Sequence, residues 1–258
     1  MVRLGAMSMQ RSFGQSNAVP RFFTEAGIEI PSVTAEQMRE IDRIAIEETG
    51  PNLFQMMENA GRSLALLALD FLGREWRKAR VTVLAGGGGN GGGGICAARH
   101  LANRGVAVSL CPATERLGEV PAQQRRIFRS TRGKEIDPDH LDRAPADLIV
   151  DALIGYGLTD APRGRAAALI DWANTNRAPI LSLDLPSGLD AANGVTYGEA
   201  IRPHLTLTLA LPKRGLHPDR TGPLFLADLG IPEETYRRAR VAYTSPFGNR
   251  FYIPLVVR

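Results

Sequence analysis

From Gly86 to Gly94 every residue but Asn90 is glycine. The run follows an apolar segment, Val81-Thr82-Val83-Leu84-Ala85, and precedes Ile95-Cys96-Ala97-Ala98-Arg99-His100-Leu101. That order reads as strand, turn and helix. Without a Cβ, backbone amides can approach a ligand closely, and a helix N-terminus favours negative charge. The run is therefore a candidate phosphate- or nucleotide-binding loop, set against the plainer reading of a flexible loop with no ligand. Two acids stand at comparable places. Asp151 begins Asp151-Ala152-Leu153-Ile154-Gly155-Tyr156-Gly157-Leu158, and Asp184 begins Asp184-Leu185-Pro186-Ser187-Gly188-Leu189-Asp190. Each closes an apolar strand at a turn shaped by glycine or proline. One such acid is often a cap on loop amides. Two facing one glycine-rich loop are harder to explain that way, because a buried carboxylate needs a hydrogen-bonded partner or a cation. A cation would offset repulsion between Asp151 and Asp184. With no His or Cys cluster nearby, oxygen ligands point to an alkali or alkaline-earth ion.

Other chemistries find less support. His100, His140, His204 and His217 are not paired at metal-ligand spacing and read as structural or surface residues. Ser187 lacks the Gly-x-Ser-x-Gly nucleophile elbow. A dinucleotide fold of the Gly-x-Gly-x-x-Gly type wants an acid closing the next strand, yet that strand ends in Cys111-Pro112-Ala113, with Glu115 a poor substitute. An NAD-dependent dehydrogenase is disfavoured. The net charge of +4, from 31 basic and 27 acidic residues, is too diffuse to indicate nucleic acid. No apolar run reaches the roughly 20 residues of a membrane span. Cys96 and Cys111 read as reduced core residues of a cytoplasmic protein.

These residues need a scaffold, and its pattern is α/β. Residues 1–31 read as an irregular N-terminal arm. Thr34 with Gln37 forms a capping box, and Met38, Ile41 and Ala45 repeat at helical spacing up to Gly50-Pro51. A second helix is expected from about Leu53 to Phe71, with Met57, Ala60, Leu64, Leu67 and Phe71 buried and Ala60-Gly61 allowing close packing. Strands are expected at 81–85, 106–110, 147–153, 180–185, 205–211 and 224–228, with helices near 92–104, 121–130 and 164–176. Apolar strands alternating with helices predict a mainly parallel sheet covered on both faces. The apolar tail Phe251-Tyr252-Ile253-Pro254-Leu255-Val256-Val257 is expected to add an edge strand or pack on a partner.

Six motifs then occur in one order. They are Met56-Met57-Glu58-Asn59-Ala60-Gly61, the glycine run with Ala98-Arg99-His100-Leu101, and the two segments that begin at Asp151 and Asp184. Pro212-Lys213-Arg214-Gly215-Leu216 and Asp228-Leu229-Gly230-Ile231-Pro232 follow. In this the chain resembles the NAD(P)H-hydrate epimerase family, the YjeF N-terminal domain, over roughly residues 32–243. The resemblance implies a Rossmann-like three-layer αβα sandwich, with residues 32–258 as one domain, and a homodimer. It implies interconversion of the R and S forms of the hydrated nicotinamide cofactor NAD(P)HX, with a separate or fused dehydratase restoring NAD(P)H. By resemblance Asn90, Asp151 and Ser187 would hold a potassium ion. Gly89, Asn90, Gly91, Gly92, Gly93 and Gly94, with Gly155, Tyr156, Gly157, Leu158 and Thr159, would hold the dinucleotide phosphates. Asp184 would contact the hydrate as acid/base. Protonating the C6 hydroxyl lets it leave as water while the ring nitrogen forms an iminium, and water returns to the opposite face. Where the family usually reads Gly-Asn-Asn-Gly-Gly-Asp-Gly, this chain has Gly88-Gly89-Asn90-Gly91-Gly92-Gly93-Gly94. Three functional readings stay open: an active epimerase, a catalytically degenerate member that binds a nucleotide or a protein, and another nucleotide-handling enzyme on the same fold. Lys213 and Arg214 are candidates for a ribose phosphate, with basic surface residues as the plainer reading.

Overall fold

The computed structural model describes residues 19–143 and 145–258. Its described strands form one ten-stranded sheet. In chain order they are β1 (Phe22–Thr24), β2 (Glu29–Ile30), β3 (Arg80–Ala85), β4 (Ala107–Pro112), β5 (Lys134–Glu135), β6 (Leu148–Ala152), β7 (Ile180–Leu183), β8 (Leu205–Leu209), β9 (Leu224–Ala227) and β10 (Tyr252–Val257). Across the sheet the order is β2-β1-β10-β9-β8-β7-β6-β3-β4-β5. The strands from β5 to β9 run parallel, and β10, β1 and β2 are antiparallel additions. This is the mainly parallel α/β sheet that the alternating pattern predicts.

Helices α1 (Ala35–Ile44), α2 (Leu53–Leu72), α3 (Gly89–Asn103), α4 (Glu119–Arg129), α5 (Gly164–Thr175), α6 (Pro218–Thr221) and α7 (Glu233–Arg238) cover the sheet. Period-two alternation decides the layers. Val81 and Val83 of β3 pack with Leu64, Ala68, Ile95 and Leu101 of α2 and α3. Leu84 of the same strand packs with Leu169, Ile170 and Ala173 of α5 on the opposite face. Each fully buried leucine contributes about 1.5–3 kcal/mol relative to exposure. The Thr34 capping box is present: Gln37 N donates to Thr34 Oγ1 (3.1 Å), and Thr34 N donates to Gln37 Oε1 (3.0 Å).

Three expectations change. Phe71 is 43% exposed rather than buried; with 3.6 residues per turn the apolar stripe drifts, and Leu72, four residues beyond Ala68, continues the core face instead. The expected irregular arm is partly strand, since Phe22 and Phe23 pair with Val257 and Val256; residues 1–18 lie outside the described residues. The C-terminal tail is not an edge. It lies between β9 and β1, and β2 takes the edge.

The topology also fixes where a ligand can sit. The chain runs outward from β3 to β4 and β5, then returns to β6 on the other side of β3 and continues to β9. The carboxyl ends of β3 and β6 thus flank a switch point, the crevice where ligands of doubly wound sheets bind. Gly86 follows β3, and Asp151 lies in β6.

Candidate active site

The glycine run divides into two parts. α3 begins at Gly89, three residues earlier than expected, with Gly88 at its cap and no capping side chain. Gly92 N already donates to Gly88 O (3.0 Å). The amides of Gly89, Asn90 and Gly91 precede the first intrahelical donor, the geometry that receives an anion. Gly92, Gly93 and Gly94 lie inside the helix. They are buried helical positions where a Cβ would strike Met57, Leu183 and Ala152 respectively. Gly61 answers from α2, since a Cβ there would strike Cys96. These glycines let α3 pack closely on α2 and β6.

The two early motifs of α2 and α3 lock to one another. Glu58 accepts Arg99 Nη2 (2.5 Å), His100 Nε2 (2.8 Å) and the Cys96 thiol (3.4 Å). Burial pushes the Glu58 carboxyl up, but the bonds from Arg99 and His100 outweigh it and hold it down at about 2. A carboxyl held lower in the folded state than its ordinary 4.5 contributes stability that is whole above that value and lost as pH falls toward 2. Glu58→Gln should therefore flatten the loss of thermal stability between about pH 5 and about pH 2.5, measured by calorimetry on both proteins. An equal loss in the two would exclude this role.

Asp151 is completely buried. Ser182 Oγ and Ser187 N donate to its Oδ2 (2.8 and 2.9 Å), and Ser187 Oγ and Leu153 N donate to Oδ1 (2.5 and 3.2 Å). Burial pushes its protonation upward and these donors oppose that. The plainer expectation for such an acid, a cap on turn amides, accounts for much of its surroundings. Ser187 Oγ also accepts Ile154 N (2.9 Å), so it fastens the turn after β6 to the turn after β7.

Asp184 follows β7 in the left-handed region, at φ 68°, a conformation that Asp tolerates better than most residues. It is 3% exposed. Its side-chain partner is Lys213. Lys213 Nζ donates to Asp184 Oδ1 and to Leu209 O (2.9 Å), and lies 5.7 Å from the centre of the Tyr156 ring. Lys213 is 1% exposed, which overturns its reading as a surface residue, while Arg214 is exposed. Tyr156 N donates to Asp184 Oδ2 (3.1 Å), and the Tyr156 hydroxyl donates to Asp42 Oδ2 on α1. Burial pushes the Tyr156 hydroxyl upward and the Asp42 carboxyl upward.

Gly155 joins these parts. A Cβ there would lie 3.0 Å from Asp184 Oδ2 and 3.3 Å from Asn90 Cγ. The Asn90 amide and the Asp184 carboxylate thus flank one glycine. Both polar atoms of the Asn90 side chain are buried without a partner, which marks a place where a ligand would satisfy them. Gly157 and Thr159 of the same turn are exposed and Leu158 is half-buried. Sequence reasoning passed over Asp42 and undervalued Lys213. The signal for Lys213 resembled that for the acids: it is one of three lysines, and it follows the apolar run Leu205 to Leu211.

A model of the YjeF-related protein N-terminus matches residues 53–215. The NAD(P)H-hydrate epimerase of Dehalogenimonas lykanthroporepellens is 53% identical over 88% of this chain and 94% of its own. The bifunctional NAD(P)H-hydrate repair enzyme Nnr of Salinibacter ruber is 37% identical over 81% of this chain. The human enhancer of mRNA-decapping protein 3 is 32% identical over 93% of it. The chain spans 42% and 47% of those last two proteins, about half their length. A crystal structure of the yeast protein ynu0 superposes with a TM-score of 0.75 at 22% identity, over 87% of this chain and all of that one, and so shares the fold. The chain belongs to the family of the YjeF-related protein N-terminus.

Proposed function

We propose that this protein is an NAD(P)H-hydrate epimerase, interconverting the R and S forms of hydrated NADH and NADPH in cofactor repair. The observation that carries the reading is Asp184: a buried carboxylate held by Lys213 and the Tyr156 amide, next to Asn90 at an uncapped helix start. A relative 53% identical over nearly its whole length bears that activity in its name. The amides of Gly89, Asn90 and Gly91 would receive the pyrophosphate, and Asp184 would face the C6 hydroxyl. One carboxyl can serve both half-reactions, which share one iminium, because it is the acid as water leaves and, now ionised, the base as water returns. An ionised Asp184 also stabilises that cation.

Potassium belongs to the same proposal. The unpartnered Asn90 amide oxygen fits a cation ligand. Asp151 and Ser187 would supply charge and a hydroxyl, though both are already bonded to each other. A bound potassium ion would neutralise Asp151 and orient Asn90. A separate dehydratase would be the functional partner; the Salinibacter protein named as bifunctional is about twice as long as the match. A homodimer and a cytoplasmic setting rest on family resemblance. Among the described residues no helix is long and apolar enough to cross a membrane.

The test supplies R-NADPHX, potassium and an S-specific dehydratase, then follows NADPH recovery. Recovery should outrun the spontaneous rate in proportion to added protein. Recovery at the spontaneous rate would leave the nucleotide-binding or protein-binding reading in its place.

A further inference from the structure

We propose that Lys213 is the proton reservoir of Asp184, a role that rests on the epimerase reading. An acid catalyst must hold a proton when the C6 hydroxyl leaves. In its ion pair Asp184 is a carboxylate and has none. Of the groups bonded to it, the Tyr156 backbone amide cannot give its proton up, and the Tyr156 hydroxyl is turned to Asp42. Among the described residues the Lys213 ammonium alone can pass one along an existing hydrogen bond. Its other surroundings hold it in place: Leu209 O accepts a second hydrogen bond, and the Tyr156 ring lies beside the cation. The backbone at Lys213 is tied down as well, since Val33 N donates to Pro212 O (2.9 Å) and Arg214 N to Val33 O (3.1 Å).

The step balances. A proton moves from Lys213 Nζ to Asp184 Oδ1, leaving a neutral amine and a carboxylic acid. Asp184 gives a proton to the C6 hydroxyl oxygen. The C6–O bond breaks with both electrons on the departing water, and the N1 lone pair forms the N1=C6 bond. The pair is then a carboxylate beside a neutral amine. Its net negative charge arises as the ring becomes positive, so stabilisation appears where charge develops. Water adds to the opposite face of C6 and returns its proton through Asp184 to Lys213. An arginine at 213 would keep the charge and the hydrogen bond but would not release a proton.

The decisive variant is Lys213→Arg, assayed in the NADPH-recovery system beside the wild type. We expect kcat to fall on the order of 100-fold with KM little changed. In Lys213→Ala, small alkylammonium ions should restore part of the rate, and the restored rate should follow the acidity of the amine. A kcat for Lys213→Arg equal to that of the wild type overturns the role, as does restoration indifferent to amine acidity. Where either variant unfolds early in calorimetry, the wild type still answers. With three lysines in the chain, lysine-selective 15N NMR should show one slowly exchanging Nζ signal that vanishes in Asp184→Asn, and its absence overturns the pairing. If the wild type gives no acceleration, the epimerase reading falls and this role with it. If the wild type accelerates and Lys213→Arg matches it, the role alone falls.

Discussion

Asp184→Asn should lower epimerase kcat by roughly 10²–10⁴-fold, the range expected when a general acid–base group is lost. It should also destabilise the protein, and that second effect tests the geometry without reference to turnover. Asn accepts the left-handed backbone at φ 68° about as readily as Asp, so the change is one of charge. It leaves the Lys213 ammonium, 1% exposed, without a counter-charge, with only neutral oxygens, Leu209 O among them, as acceptors. Breaking a buried pair by removing one partner costs about 3–5 kcal/mol, or roughly 10 °C in a protein of this size. Replacing both partners removes the stranded charge. The double variant Asp184→Asn, Lys213→Met should therefore regain much of the lost Tm and none of the lost activity. A double variant no more stable than Asp184→Asn would mean that the pair does not carry the stability assigned to it. A single variant with wild-type kcat would remove Asp184 from the chemistry.

The sequence made the strand ends legible because apolar strands alternating with helices leave few topologies, and ligands of such sheets gather at one edge. Asp151 and Asp184 both lie there, as expected. Their partners were less legible. Lys213 reaches Asp184 only after β8 ends and the chain bends at Ala210, a non-glycine residue at φ 59°, and no local pattern announces that bend. Asp42 sits beside the buried positions Ile41 and Ala45 of its segment. Its meaning depends on Tyr156, which lies 114 residues away. The start of α3 escaped for a different reason. Glycine is among the poorest helix formers, at about 1 kcal/mol below alanine per residue, so propensity argues against a helix from Gly89. Packing overrides it, because Gly92, Gly93 and Gly94 are the residues small enough to let α3 approach Met57, Leu183 and Ala152. The arm at Phe22 finds a short local partner in β2 and a longer one in the tail at Val257, a pairing across the whole chain that no local pattern announces.

That division of the glycine run makes its members unequal, and substitution should rank them. Gly91→Ala places a Cβ against the carbonyl oxygen of Gly86, backbone that cannot swing aside. Overpacking of this kind costs about 1–3 kcal/mol, more than the roughly 1 kcal/mol alanine returns in helix propensity. The turn that aims the amides of Gly89, Asn90 and Gly91 must shift, so KM for NADPHX should rise along with the loss of Tm. Gly89→Asn should do neither. Its Cβ meets only Met57 Cε, at an ordinary 3.7 Å, and exposed substitutions of this kind stay within about 0.5 kcal/mol. Gly93→Asp, which would return the acid usual in the family, lands 2.9 Å from Leu183 Cδ2 and 3.7 Å from Ala60 Cβ. Leu183 can turn, but the new carboxylate enters an apolar contact between Leu183 and Ala60, which costs several kcal/mol. Tm should therefore hold in Gly89→Asn and fall in both Gly91→Ala and Gly93→Asp, with KM responding to Gly91→Ala. A Gly93→Asp protein more stable than the wild type would show that position 93 faces a polar pocket, and that its glycine is a loss of function rather than a fit to Leu183.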